Sequence, residues 1–190
     1  MFEFLFENLS KTIFLSESDK KIISQNFKQK KLLKRQFFLQ EGNISFHTGF
    51  VTKGCLKTYT IDNNGNELIY QISIEGWWVT DLFSFLTGLP AMYNIEAIEN
   101  CEMLIMDLAN REEIFKNVPQ FERYMRLMLE NNYIANQRRL NSMLGGTAEE
   151  RYLTFTNKYP EISNRVPLKT IASYLGIAPE SLSRIRRNIK

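Results

Sequence analysis

A chain of 190 residues with 44% hydrophobic content, 24 Lys/Arg against 21 Asp/Glu and a net charge of +3 can form one or two folded domains and is no disordered polyelectrolyte. One histidine, His47, and two cysteines, Cys55 and Cys101, exclude a histidine-based metal site or triad, a zinc finger and a four-thiolate iron–sulfur cluster made by one chain. No run reaches the ~18 apolar residues of a membrane span, and Met1-Phe2-Glu3 lacks the basic start of a signal peptide, so a cytoplasmic protein with buried free thiols is expected.

In chain order, residues 2–10 predict a short helix with Phe2, Leu5, Phe6 and Leu9 at helical spacing. Ser16 and Asp19 form the pattern of a capping box that opens a second helix through about Phe27. From Leu32 apolar and polar residues alternate, punctuated at Glu41-Gly42-Asn43, Gly54, Asn63-Asn64-Gly65-Asn66 and Glu75-Gly76, which predicts short antiparallel strands. Asn64-Gly65 between two alternating runs is a strong hairpin signal. Residues 94–107 add two more strands about Glu99-Asn100, and strands at this spacing suggest a compact barrel or roll.

Within that roll, residues 81–88 predict one or two helical turns ending at Gly88. The aromatics around them, Trp77, Trp78, Phe83 and Phe85, are read either as core or as the lining of a binding site. After Asn110 a helical segment leads into a long helix from about Pro119 to Met143. With ~25 residues it would be ~37 Å long and outrun a small roll. Its apolar surplus, including Phe121, Tyr124, Met125, Met128 and Leu129, is read either as packing on the chain's own roll or, given that length, as pairing with a second copy. Gly145-Gly146 breaks the helix and marks a domain boundary, and Thr147 opens another helix to about Lys158.

The segment from Val166 to Lys190 reads as a helix-turn-helix. Leu168, Ile171, Ala172 and Leu175 form an amphipathic stripe, Gly176 stops it, and Pro179 opens a second helix with Leu182, Ile185 and Ile189 inward. Its other face offers Glu180, Ser181, Ser183, Arg184, Arg187 and Asn188, with Arg186 at the flank and Lys169 on the preceding helix. Such side chains read base edges or hold phosphates. Residues 151–190 carry eight Lys/Arg against two Asp/Glu, so positive charge collects where this motif lies while residues 1–150 sum to −3.

Strands with an inserted short helix, a long helix and a helix-turn-helix resemble, in that order, the Crp/Fnr family of bacterial transcription regulators. The likeness rests on FVTKGCLKTYTIDNNGNELIYQ, similar to the family's roll hairpin, and on APESLSRIRR, similar to its recognition helix with Glu180 and Arg184 at base-contacting positions. The resemblance implies an α+β chain made of an N-terminal antiparallel β-roll (1–115), a dimerisation helix (116–146) and a winged-helix-type helix-turn-helix (147–190). It also implies a homodimer on a palindromic DNA operator, with RNA polymerase as a candidate further partner. Members commonly continue into a β-hairpin wing, whereas this sequence stops at Lys190, so a wingless module is expected.

The nucleotide-binding pattern of the family, a Gly-Glu pair for the ribose and an arginine for the phosphate, is replaced here by Thr80-Asp81 and Tyr93-Asn94. No Lys or Arg occurs between Lys57 and Arg111, while eight carboxylates do. A buried phosphodiester needs cations or amide donors, so an uncharged or aromatic effector near Trp77, Trp78, Asp81, Phe83 and Tyr93 is expected in place of a cyclic nucleotide, or no effector at all. No phosphate-cradling glycine loop and no convincing carboxylate pair is present, so neither an enzyme nor a metal or other cofactor is expected. The competing reading is a small-molecule-binding or protein-docking roll whose terminal helices do not recognise DNA.

Overall fold

The computed structural model describes residues 1–189; Lys190, the last residue of the expected DNA-binding segment, lies outside them. Contacts divide the chain into two units: residues 1–58 with 73–130, and residues 59–72 with 131–190.

In the first unit, helices α1 (Phe2–Ser10) and α2 (Glu17–Gln25) precede the strands, and the Ser16–Asp19 capping box opens α2 as expected. Eight strands follow among the described residues, the end of β4 and nearly all of β5 belonging to the second unit: β1 (Lys28–Leu32), β2 (Phe37–Leu39), β3 (Thr48–Lys53), β4 (Leu56–Ile61), β5 (Glu67–Ser73), β6 (Trp78–Val79), β7 (Asn94–Ala97) and β8 (Cys101–Met106). They form two four-stranded sheets, β1-β8-β3-β6 and β2-β7-β4-β5, and β3 is antiparallel to both β6 and β8. Gly54 turns β3 into β4 with φ +97°, where an added Cβ would lie 2.6 Å from the Asn100 carbonyl oxygen, so both backbone sign and space require glycine.

Because side chains alternate across a strand, neighbours in sequence enter different cores. Val51, Val79, Cys101, Met103 and Ile105 join Leu32, Leu39, Leu56, Ile95 and Ala97 in one. Phe50, Trp78, Leu104 and Met106 face the other, with Leu5 and Leu9 of α1, Ile23 of α2, and Phe27. This second core is completed by Ile114 of α4 (Leu108–Asn117) and by Phe121, Tyr124 and Met125 from the start of α5 (Pro119–Gly145). A short helix, α3 (Leu82–Thr87), lies between β6 and β7 and ends on left-handed Gly88, as the sequence predicts.

β1 is a strand that the apolar pattern does not announce, since KQKKL is exposed at every position but Leu32. It is the edge of its sheet, paired only with β8.

The second unit holds the β4–β5 hairpin over residues 59–72, the end of α5 and four further helices: α6 (Ala148–Lys158), α7 (Pro160–Arg165), α8 (Leu168–Leu175) and α9 (Pro179–Asn188). Thr147 and Glu150 form a second capping box at α6. α7 was not anticipated: Tyr159-Pro160 ends α6, but the same proline, at N1 or N2, starts another turn and a half whose Ile162 is buried. Among the described residues no helix is long and apolar enough to cross a membrane.

Candidate nucleic-acid interface

α8 carries Ile171, Ala172 and Leu175 inward, all buried, and ends on Gly176 at φ +63°. There the Ile177 amide donates to the Ala172 carbonyl at 2.9 Å and the Gly176 amide to the Ser173 carbonyl at 3.1 Å. This is the double hydrogen bond of a glycine-terminated helix, and Ile177 is buried beneath it. The positive φ is what calls for glycine, since a Cβ there would meet only the flexible end of Met143, whose methyl lies 2.7 Å away and can shift. Arg151 braces the same turn, donating to the carbonyls of Gly146 at 2.7 Å and Gly176 at 3.3 Å.

α9 then starts at Pro179 with Glu180 in its first turn and Arg186 and Arg187 in its last, an order of charge that suits the helix dipole. Leu182 is wholly buried and anchors the helix, and Ile185 is half-buried. Ile189, expected to face inward with them, is 42% exposed, because the helix ends at Asn188. Pro179, Glu180, Ser183, Arg184, Arg186, Arg187 and Asn188 are exposed, Ser181 is half-buried, and Lys169 on α8 is exposed. Residues 180, 183, 184, 187 and 188 fall away from Leu182, as the periodicity requires, whereas Arg186, four residues after Leu182, is exposed on the anchor's side of the helix. The arrangement is a convex, cation-bearing helix seated on a small apolar core, able to enter a groove about 12 Å wide.

The residues expected to line an effector site are dispersed. Trp78 is core: on β6 it points to the side opposite Val79, packs against Phe50, Phe27, Phe121 and Tyr124, and donates its indole N–H to the Tyr124 hydroxyl at 3.2 Å. Asp81 is likewise structural. Its carboxylate is 1% exposed and accepts from the amides of Ser84 at 2.9 Å and Met92 at 2.8 Å, capping α3. Trp77 and Tyr93 are half-buried and Phe83 is 43% exposed.

The expected pairing surface also moves. Phe121, Tyr124 and Met125 are buried in the first unit's core and Met128 packs against it, so these four belong to the chain's own fold; Leu129 is 40% exposed. Within the second unit α5 instead exposes Tyr133 (65%), Ile134, Leu140 (57%), Met143 and Leu144 (79%). No group of three or more His, Cys, Asp or Glu placed to hold a metal occurs among the described residues.

With this geometry established, comparison with known proteins is direct. Residues 29–118 match the cyclic nucleotide-binding domain family. The transcriptional activator Anr of Pseudomonas aeruginosa is 24% identical over 171 residues, covering 81% of this chain and 67% of the relative. The solved structure of FixK2 from Bradyrhizobium japonicum superposes with a TM-score of 0.73 at 18% identity, covering 86% of this chain and 84% of that one. The c-di-GMP responsive regulator CLP of Xanthomonas campestris gives 0.72 at 12% identity over 92% and 91%. The chain is similar in sequence and fold to Crp/Fnr-like transcriptional regulators. The Crp/Fnr resemblance read from the hairpin and from APESLSRIRR therefore holds, and so does the expected roll architecture with its terminal helices.

Sequence reading missed the residues that tie the helix-turn-helix down. Ser173 and Tyr174 on α8 contact the β4–β5 hairpin and α5: the Ser173 hydroxyl meets β5 backbone, and the Arg139 guanidinium lies 4.6 Å from the Tyr174 ring centre and 5.8 Å from that of Tyr70. No local spacing signals contacts between residues 104 or 106 positions apart.

Proposed function

We propose that this Crp/Fnr-type chain binds duplex DNA as a homodimer on a palindromic operator, with α9 as the recognition helix and residues 147–190 as the DNA-binding domain. The observation that carries the reading is the exposed face of α9, where Glu180, Arg184 and Arg187 stand together opposite the buried anchor Leu182. Arg184 reads a base edge, and Arg186 or Arg187 engages phosphate. Pairing through the 116–146 region, by the exposed apolar residues Tyr133, Ile134, Leu140 and Leu144, supplies two recognition helices about 34 Å apart, one helical turn of DNA.

The roll of residues 1–115, in this reading, takes no cyclic nucleotide. Asp81 already fills the amide-lined start of α3 with negative charge. Nearby cations are engaged: Lys57 pairs with Glu96 at 3.2 Å, and the Arg111 guanidinium lies over the Phe85 and Phe115 rings. An uncharged or aromatic effector, or no effector, is the reading kept for the roll. No catalytic role is proposed.

Selection of bound duplexes from a random pool, followed by anisotropy titration, tests the main claim. Arg184→Ala is expected to cost about 1–3 kcal/mol on the selected site and to relax its sequence preference, whereas Arg186→Ala weakens all sequences alike and flattens the salt dependence. Unchanged titrations for Arg184→Ala would show that α9 is not the recognition helix.

A further inference from the structure

Ser173 sits one turn before the Gly176 stop of α8, and its hydroxyl reaches outside the helix-turn-helix. Oγ donates to the Glu67 carbonyl at 2.7 Å and accepts from the Ile69 amide at 3.0 Å. Both groups belong to β5, the last strand in the order β2-β7-β4-β5. In an antiparallel strand residues i and i+2 turn their backbone groups to the same side, and on an edge strand one such row meets no neighbouring strand. A serine hydroxyl is donor and acceptor at once. One side chain of α8 therefore completes a backbone site that a further strand would otherwise fill.

A second clasp stands beside it. Arg139 of α5 lies over both the Tyr174 and Tyr70 rings and donates to the Tyr174 carbonyl at 3.4 Å, while the Asn136 amide donates to the Tyr70 hydroxyl at 3.4 Å. Consecutive residues of α8 are thus fastened to β5 and to α5.

We infer that Ser173, supported by Arg139, is a positioning residue for DNA recognition. It pins α8, and through the Gly176 turn α9, to the β4–β5 hairpin, so that the face bearing Glu180, Arg184 and Arg187 is presented in one orientation. The inference deepens the proposed function and rests on α9 being the recognition helix. The chain enters this module through Gly145-Gly146, which gives little stiffness of its own. A pinned helix loses less orientational freedom on binding than a loose one. The pin does not cover the recognition face, whose residues are exposed, so it orients and does not occlude. Base readout needs several side chains in register at once, whereas attraction to phosphates does not. Loss of the pin should accordingly weaken specific binding and spare non-specific binding.

The test uses the full chain and its Ser173→Ala, Ser173→Thr and Arg139→Gln variants. Hydrogen exchange of the free protein follows the Ile69 amide against Leu104 and Ile105 as internal references. Anisotropy then compares a duplex selected from a random pool with a scrambled duplex of equal length. Expected for Ser173→Ala is faster exchange at Ile69 alone, roughly tenfold weaker binding of the selected duplex, and a change of less than about twofold on the scrambled one. Ser173→Thr, which keeps the hydroxyl, should restore both readouts. Arg139→Gln should weaken selected-duplex binding in the same sense, so the inference stays exposed to refutation should Ser173→Ala fail to fold. Selected-duplex binding that survives the loss of Ile69 protection would overturn it, and so would Ile69 exchange that ignores the substitution. A wild-type chain that cannot tell the two duplexes apart would refute the recognition reading itself and this inference with it; the wild-type titration alone separates the two failures.

Discussion

Tyr124 shows how much one hydroxyl can organise. It accepts the Trp78 indole N–H and donates to the Asn8 side-chain oxygen at 2.9 Å, joining β6, α5 and α1 inside the helix-covered core. Tyr124→Phe removes an acceptor and a donor from a buried chain of polar groups, and should lower unfolding stability by about 1–3 kcal/mol in urea titrations. Cys101 makes a different prediction. Its thiol, 2% exposed and donating to the carbonyls of Glu99 and Cys55, is pushed by burial up to about 11 from an ordinary 9.0. The folded state therefore holds this proton more tightly than the unfolded state does. The stability linked to it is complete below pH 9 and is lost as pH rises toward 11. Urea titrations at pH 8 and pH 10.5 should show the fall, and Cys101→Ala should lessen it.

α5 divides functionally where its surroundings change. A charged residue at Met125 enters the helix-covered core, so Met125→Lys should lower the melting temperature sharply. Glutamates at Leu140 and Leu144, which are 57% and 79% exposed, should leave the fold intact and reduce the mass seen by light scattering to that of a monomer, with loss of tight operator binding. Helices with caps and glycine stops were legible in the sequence: Ser16, Gly88, Thr147 and Gly176 act locally, and the structure uses each as expected. Strands with one buried face were legible for the same reason. β1 was not, because an edge strand solvated on both faces has no alternation to read. The partition of α5 was not legible either, since Phe121 and Leu140 are equally apolar and only tertiary neighbours tell core from free surface. Trp78 and Asp81 misled for a related reason: local sequence places them beside α3, while strand parity turns one toward the helices and the other caps α3 itself.

For the whole molecule, the contrast between a carboxylate-rich roll and a basic terminal segment sets what each end can meet. Isothermal titration with cyclic AMP and cyclic GMP should give no heat of binding at micromolar concentrations, and micromolar affinity for either would reverse the reading of Asp81 and Arg111. The lysine-bearing edge of β1 has a consequence for the protein in concentrated solution. A strand from another copy could dock there only by stripping water from Lys28, Lys30 and Lys31, which stand exposed along its length. Sheet-to-sheet growth into open-ended polymers is thereby resisted, whereas the proposed two-fold pairing of helices would close after two subunits.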